Sequence, residues 1–235
     1  MTITGGSYKS IYGFGMAVNE GSVATVLGGT IQGGQYGRGM SVAVDVEEDG
    51  AVATVCDGII QGGTNFGWGW SGVFVEDERA TVRIAGGMMI GGNNTAGAPW
   101  LGGYGLFNLG GGDVTITGGT FKGGFYSTSD DQANSLGFSC GNTSIYGGIY
   151  EGNWAFNKGF CDIYTKVYGK DLVLKDNHLV GTLCDGNPID VKILILGEPI
   201  TVNIENNCAS FPEFEECGGK GGKSGKKTKN SLFRP

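Results

Sequence analysis

The sequence has almost no histidine and little proline, with one His and five Pro among 235 residues. A single histidine argues against a Ser-His-Asp triad and against a His-rich metal site. No apolar run approaches the roughly 18 residues that a membrane-spanning helix needs, so no membrane span is predicted. The chain also lacks a Gly-X-Y period, which excludes collagen.

Glycine is the residue that the chain has in excess. There are 48 glycines, about three times the average share of roughly 7%. Hydrophobic residues still make up 40% of the chain, which is enough for a core. This combination is typical of many tight turns between short strands.

Charge is unevenly distributed along the chain. The net charge is −7, but the low-complexity tail at 218–235 has six basic and no acidic residues, which leaves −13 on the rest. A body this acidic argues against duplex nucleic acid as a partner. The tail is expected to be disordered.

Cysteine usage indicates the compartment. There are six cysteines, four of them after residue 160, and acceptor sequons begin at Asn93 and Asn142. Together these features favour an extracellular or cell-surface protein with C-terminal disulfides, whose pairing stays open. Residues 1–6 already belong to the repeat described next and carry no signal peptide, so we expect the chain to be part of a larger polypeptide or to lack its leader.

One short block recurs along most of the chain. Its first full copy, 24–34, reads Ala-Thr-Val-Leu-Gly-Gly-Thr-Ile-Gln-Gly-Gly, and its copies occupy 53–63, 82–92, 114–124 and 143–153, with a weaker copy at 172–181 and a partial one at 2–6. The turn pair inside the full and weaker copies begins at residues 28, 57, 86, 118, 147 and 176, so four of the five spacings are 29 and one is 32. Such regularity predicts a solenoid.

The residue types indicate strands stacked in parallel coils. The Val-x-Ile alternation before each turn has the period of a strand, and the Gly-Gly, Asp-Gly and Asp-Asn pairs tolerate positive φ. A second strand, such as the one near 72–75, precedes each block. Stacking at about 4.8 Å predicts two buried ladders. The first contains Val26, Val55, Ile84, Ile116, Ile145 and Leu174, and the second contains Ile31, Ile60, Met89, Phe121, Tyr150 and Leu179.

The pattern over 1–207 resembles the repeats of the pectin-lyase-like superfamily. The resemblance implies an all-β, right-handed parallel β-helix of about six to seven coils of about 29 residues. It is specific for fold and not for function, because that superfamily contains lyases, hydrolases, epimerases, adhesins and inert stalks. An open end exposes core and strand edges, so we expect 208–217, with its two cysteines, to form a C-terminal cap before the tail at 218–235.

Aromatic residues recur just after the second glycine pair of each coil. Stacked coils place them along one edge of the rod, where exposed rings can stack on sugars. The alternative is an internal aromatic layer. The candidate carbohydrate-binding residues are Tyr36, Arg38, Trp68, Trp70, Trp100, Tyr104, Tyr126 and Trp154. Within this set we expect Arg38 to pair with the carboxylate of a uronate sugar, because a guanidinium can bind a carboxylate through two hydrogen bonds.

Acidic residues gather at the turns of four successive coils. They are Glu20, Glu47, Glu48, Asp49, Glu76, Asp77, Glu78 and Asp113. Their oxygens would suit Ca²⁺. Surface turns are ordinarily acidic and solvated, however, so no metal or cofactor is predicted.

Catalytic residues are not assigned. Asp130 and Asp131 resemble the carboxylate pair of the superfamily's polygalacturonases, but Gly152-Asn153-Trp154 stands where a Gly-His-Gly is expected, which does not favour hydrolysis. The basic residues available to a lyase are Arg38, Arg79, Arg83 and Lys122. The lone His178 is interpreted as structural. A column of Thr25, Thr54, Thr115 and Ser144 is similar to that of ice-binding solenoids, but Arg83 interrupts it.

Two functional hypotheses remain. The first is a non-catalytic extracellular or surface module that binds a polysaccharide or surface glycan or serves as a structural or adhesive rod. The second is a polysaccharide-active lyase, hydrolase or epimerase. The enzyme hypothesis requires carboxylates and an Arg or Lys that converge in a groove beside the aromatic column.

Overall fold

The protein is described by a computed structural model that covers residues 1–19, 21–34, 40–42, 50–64, 70–93, 103–126, 129–132, 134–158 and 161–218. Nearly all of the regular structure in these segments is strand, and their one helix is a single 3₁₀ turn at Glu215–Cys217. In the same segments, no helix has the length and apolar character needed to cross a membrane.

The strands stack in three rows, and a coil of the chain visits each row in turn. The first row contains β1 (Thr2–Ile3), β4 (Val23–Gln32), β6 (Val52–Gln61), β8 (Thr81–Ile84), β11 (Gly111–Ile116), β16 (Gly141–Ile145), β19 (Ile163–Lys175) and β22 (Val202–Glu205). The short-strand row contains β2 (Ser7–Lys9), the last three residues of β4 and of β6, β9 (Met88–Ile90), β12 (Thr120–Lys122) and β17 (Ile149–Glu151).

The third row precedes the first row in each coil. It contains β3 (Met16–Val18), β5 (Met40–Val42), β7 (Val73–Val75), β10 (Leu106–Asn108), β15 (Leu136–Phe138), β18 (Trp154–Phe156) and the end of β21 (Pro188–Ile195). Neighbouring strands within the three rows are parallel, and the rows join into one large curled sheet. The solenoid predicted from the 29-residue period is therefore confirmed.

The first row carries the interior column that the sequence predicts. Its members, in register from coil to coil, are Ile3, Val26, Val55, Ile84, Ile116, Ile145, Val167 and Ile204. Val55, Ile84, Ile116 and Ile145 are each 0% exposed. Eight stacked members make seven coil steps, which agrees with the expected six to seven coils.

The second predicted ladder also forms, as far as Tyr150. Ile31, Ile60, Met89, Phe121 and Tyr150 are in register along the short-strand row. The first four are fully buried, and the ring of Tyr150 stacks on that of Phe121 with centroids 5.2 Å apart.

The turn between the first row and the short-strand row requires glycine at its second position. Gly58 has φ +105° and Gly87 has φ +82°, in the region that L side chains rarely adopt. A Cβ on Gly58 would also lie 2.8 Å from the carbonyl oxygen of Gly29 in the preceding coil. The glycine excess therefore lets coils stack closely at this corner.

The weak last repeat does not form a coil, so the predicted ladder positions of Leu174 and Leu179 are wrong. Val167 takes the place of Leu174 in the first column, and β19 continues outward to pair antiparallel with β20 (His178–Leu183). The reason lies in the turn. Asp176 and Asn177 both have positive φ, at 50° and 60°, which is the geometry of a two-residue hairpin turn that reverses the chain.

This hairpin covers the end of the short-strand row. β20 also pairs antiparallel with β21, which then returns to the third row beside β18. In the turn between β20 and β21, a carboxylate oxygen of Asp185 accepts a hydrogen bond of 2.6 Å from the backbone N–H of Gly148. Leu179 and Leu183 are buried. The excursion from the coil thus closes the interior beyond Tyr150.

Residues 206–217, which we call the C-terminal strap, run back along the outer side of the first row. The strap contacts, in chain order, are Asn206 with Leu172, the Cys208–Cys184 disulfide, Phe211 with Tyr146, Glu216 with Arg83, and the Cys217–Cys56 disulfide. Residues 208–217, expected as a cap over the end, therefore contact the side of the rod across several coils. Residues 219–235 lie outside the described segments.

All six cysteines are paired. A third disulfide, Cys140–Cys161, joins a first-row strand to the loop that precedes the next coil. The even cysteine count therefore corresponds to three disulfides, two of which tie the strap to earlier parts of the chain.

Candidate functional site

The aromatic-rich segments follow the strands of the short-strand row in sequence. Four of the predicted site residues, Tyr36, Arg38, Trp68 and Trp100, lie outside the described residues. Of Tyr126 the structure describes the backbone, which forms the small antiparallel pair β13 (Phe125–Tyr126) and β14 (Ser129–Gln132). The side chains of Trp70, Tyr104 and Trp154 are described.

Trp154 belongs to the interior and not to the exposed edge. Its side chain is 0% exposed and meets the rings of Phe138 and Tyr150 edge-on, with centroids 6.2 and 5.0 Å away. The residue sits on β18, in register with Leu136 and Ile193, which are also buried. A ring without an exposed face cannot stack on a sugar, so at this position the internal alternative applies.

Tyr104 lies on the outer side of the third row. Its ring stacks on Phe107 at 4.7 Å, and Phe107 meets Phe74 edge-on at 5.6 Å. Gly137 of the next coil leaves room for this cluster, since a Cβ there would lie 2.7 Å from the Tyr104 ring. Tyr104 and Phe107 are half-buried and Phe74 is buried. The cluster presents part of two aromatic rings to solvent.

Trp70 is half-buried and its main chain is fixed by the glycine corner where the loops leave the rod. Its carbonyl oxygen accepts a hydrogen bond of 2.6 Å from the N–H of Gly92. Gly62 and Gly103 also approach this carbonyl so closely that neither has room for a Cβ. These contacts hold the base of the aromatic loop against the neighbouring coils.

The outward side chains of the short-strand row form a continuous surface, which we call the short-strand face. Because the middle residue of each strand points inward, the flanking residues point outward. One outward column is Ser7, Thr30, Ile59, Met88, Thr120 and Ile149, and the other is Lys9, Gln32, Gln61, Ile90, Lys122 and Glu151. All are half-buried or exposed. The face mixes apolar groups with amides and hydroxyls.

Sequence reasoning did not single out this face. The signal that could have found it is the alternation around each buried member of the second ladder, such as Ile59 and Gln61 on either side of Ile60. The aromatic residues are larger and rarer than these aliphatic and amide side chains, so they are the stronger signal in the sequence.

The described basic residues named as lyase candidates each have a carboxylate partner. Lys122 pairs with Glu151 at 2.8 Å, Arg83 with Glu216 at 3.0 Å and Arg79 with Asp77 at 4.0 Å. Lys122 is on the short-strand face, Arg83 contacts the strap and Arg79 lies in a turn before the first row. These three pairs therefore do not gather in one groove.

The described acidic residues make local contacts. Asp77 accepts a hydrogen bond from the N–H of Arg79 at 3.1 Å, and Asp113 accepts one from the amide of Asn142 at 2.8 Å. Within the described segments, no three His, Cys, Asp or Glu side chains are grouped to hold a metal ion. Glu20, Glu47, Glu48 and Asp49 lie outside those segments, and Asp130 and Asp131 are described only as backbone of β14.

The remaining candidates are His178 and the threonine column. His178 lies on the hairpin, 3.4 Å from Asp190. In the threonine column, Thr54 is 1% exposed, and its strand contacts the 3₁₀ turn of the strap. The strap therefore covers part of the surface that an ice-binding face would need.

Among the side chains that the structure describes, three groups have displaced pKa values, and all lie near the C-terminal coils. Burial, together with a hydrogen bond to Tyr168, raises the pKa of Tyr146 to about 12. Burial and the charge of Asp185 raise the pKa of Tyr150. Hydrogen bonds to Glu198 and Asp162 raise the pKa of Lys158. Each cause is a packing or ion-pair contact, and none of these groups lies with Trp70 or Tyr104.

Comparisons of the chain with protein-family models, with curated proteins and with solved structures found no match.

Proposed function

We propose that the protein is a non-catalytic, extracellular carbohydrate-binding solenoid of the pectin-lyase-like type. A glycan would bind along the short-strand face and be held at its edge by rings on the adjoining loops, Trp70 and Tyr104 among them. The observation that carries the proposal is a regular, amphipathic face whose strands lead in sequence to aromatic-rich segments, with the half-buried rings of Trp70 and Tyr104 described there. Coils about 4.8 Å apart present equivalent side chains at a repeat suited to an extended polymer.

Three disulfides and the exposed position of Asn142 support the extracellular part of the proposal. A second candidate, a polysaccharide-active enzyme, is favoured by the solenoid itself and by Lys122, a basic residue on the face. Assays for reducing ends, unsaturated products and epimerised uronate residues on neutral and acidic polysaccharides decide between the two, because a binding module forms none of these.

Tryptophan substitutions test the binding proposal. Trp68, Trp70 and Trp100 are the candidate stacking residues from the sequence, so replacing each by Ala should lower glycan affinity. The half-buried Trp70 should also lose some stability, but less than a fully buried ring. Trp154→Ala is the matched control, because it removes a core ring and should cost about 3–5 kcal/mol of unfolding free energy. Affinity by calorimetry and melting by circular dichroism are measured on the same samples. If every substitution destabilises the fold and none changes affinity selectively, the carbohydrate proposal loses its main support.

A further inference from the structure

The short-strand face has an apolar centre. Ile59 and Met88 are register neighbours on adjacent coils, and Ile90 lies two residues after Met88 on the same side of its strand. Ile59 is 39% exposed, and Met88 and Ile90 are half-buried. Three contiguous apolar side chains on an outward face are not needed by the core, whose column in this row is Ile31, Ile60, Met89 and Phe121.

Polar, mostly uncharged groups surround this apolar centre. The register places Thr30 beside Ile59, Thr120 beside Met88, and Gln61 and Lys122 on either side of Ile90, with Gln32 next to Gln61. Amides and hydroxyls both donate and accept hydrogen bonds. An apolar floor bordered by such groups matches a pyranose ring, which has a C–H face and a rim of hydroxyls.

Charge around the apolar centre disfavours an anionic ligand. Of the two cations on the face, Lys122 is paired with Glu151 at 2.8 Å, and Lys9 lies three coils from Ile90. The chain outside its basic tail carries a net charge of −13, which repels a polyanion over a Debye length of roughly 10 Å. Uronate recognition through Arg38, outside the described residues, would have to overcome that field.

We propose that the ligand of the short-strand face is an uncharged glycan whose sugar rings lie on Ile59, Met88 and Ile90 and whose hydroxyls bond to Gln32 and Gln61. This inference rests on the proposed carbohydrate-binding function and adds the class of glycan and its place on the rod.

A matched pair of polymers tests whether the ligand is an uncharged or an anionic glycan. Fully methyl-esterified homogalacturonan and its de-esterified form have the same backbone and differ in charge. They are measured with a neutral panel of cellohexaose, xylan and galactomannan and an anionic panel of alginate and heparin. We expect binding to neutral members and to the esterified form, with an affinity that changes little between low and high salt. Binding confined to anionic polymers and weakened by salt overturns the inference but leaves carbohydrate binding standing.

Substitutions test whether the glycan binds on the short-strand face. Met88→Gln removes part of the apolar floor without touching the core and should weaken neutral-glycan binding about tenfold. Val23→Gln is the control, because Val23 is an exposed strand residue of the first row, 54% exposed and away from the face. Neutral-glycan binding that Met88→Gln leaves unchanged overturns the proposed site. Failure of both polymer panels to bind overturns the proposed function itself.

Discussion

Ile116 lies in the middle of the first interior column, between Ile84 and Ile145, and all three are fully buried. Truncation to alanine removes buried methyl groups from a column that neighbouring coils hold in place, so the cavity can close only partly. We expect Ile116→Ala to lower the free energy of unfolding by about 2–5 kcal/mol. Denaturant titration measures this change.

Thr115→Ala is the control for that experiment, because Thr115 is the adjacent residue of the same strand and points outward. Thr115 is half-buried beside Arg83, so its truncation should lower the unfolding free energy by about 1 kcal/mol or less, clearly below the effect at Ile116. Equal effects at the two positions would mean that the strand does not alternate between core and surface as described.

Single aromatic residues show how far sequence can locate a site. Trp154 and Tyr104 both follow glycines after a turn, yet one is in the core and the other is half-buried on the outside. The loops that precede them differ in length, so counting from the glycine pair does not give the side that a ring faces. The face toward which Trp154 points is set by its pairing with Leu136 and Ile193, which only the structure supplies.

The C-terminal strap is held to the rod by the Cys56–Cys217 disulfide, whose cysteines are 161 residues apart in sequence. Cross-links that close long loops stabilise a fold chiefly by restricting the unfolded chain. Replacing both cysteines by serine should therefore cost about 2–4 kcal/mol and lower the melting temperature. It should also raise hydrogen exchange in residues 211–217 while the first column stays protected.

A matched double variant, with Cys184 and Cys208 replaced by serine, separates the loss of stability from the release of residues 211–217. That disulfide spans 24 residues and anchors the other end of the strap, so its loss should cost less stability. If removing the Cys56–Cys217 bond leaves exchange at 211–217 unchanged, the strap is held by Phe211 and Glu216 rather than by the disulfide.

The hairpin of β19 and β20 shows where an element-level prediction failed. The sequence correctly indicates a turn at Asp176 and Asn177, but a turn inside a coil has one residue at positive φ, as at Gly58, whereas this turn has two. Side-chain type does not reveal that difference, because Asp and Asn tolerate either conformation. Three-dimensional pairing decides it, since Leu174 and Leu179 face each other across the hairpin.

Across the whole molecule, the period of the sequence predicts the parts that repeat. The columns from Val26 to Ile145 and from Ile31 to Tyr150 follow from spacing alone, because every coil must place an apolar residue over the previous one. The strap and the disulfide pairing are singular features without a period, so no pattern in the chain indicates them. The short-strand face is predictable only in part. Its positions repeat from coil to coil, but the residue types at those positions vary.

Hydrogen exchange with and without a bound glycan tests the central claim, that the rod binds carbohydrate along the short-strand face. The ligand is the tightest binder from the neutral and anionic panels, and the exchange of each strand is compared between the free and bound protein. The account predicts added protection at residues 59–61, 88–90 and 120–122 and none at 202–205, at the end of the first row. Protection that appears only away from the short-strand row, or no protection at all with saturating glycan, would contradict it.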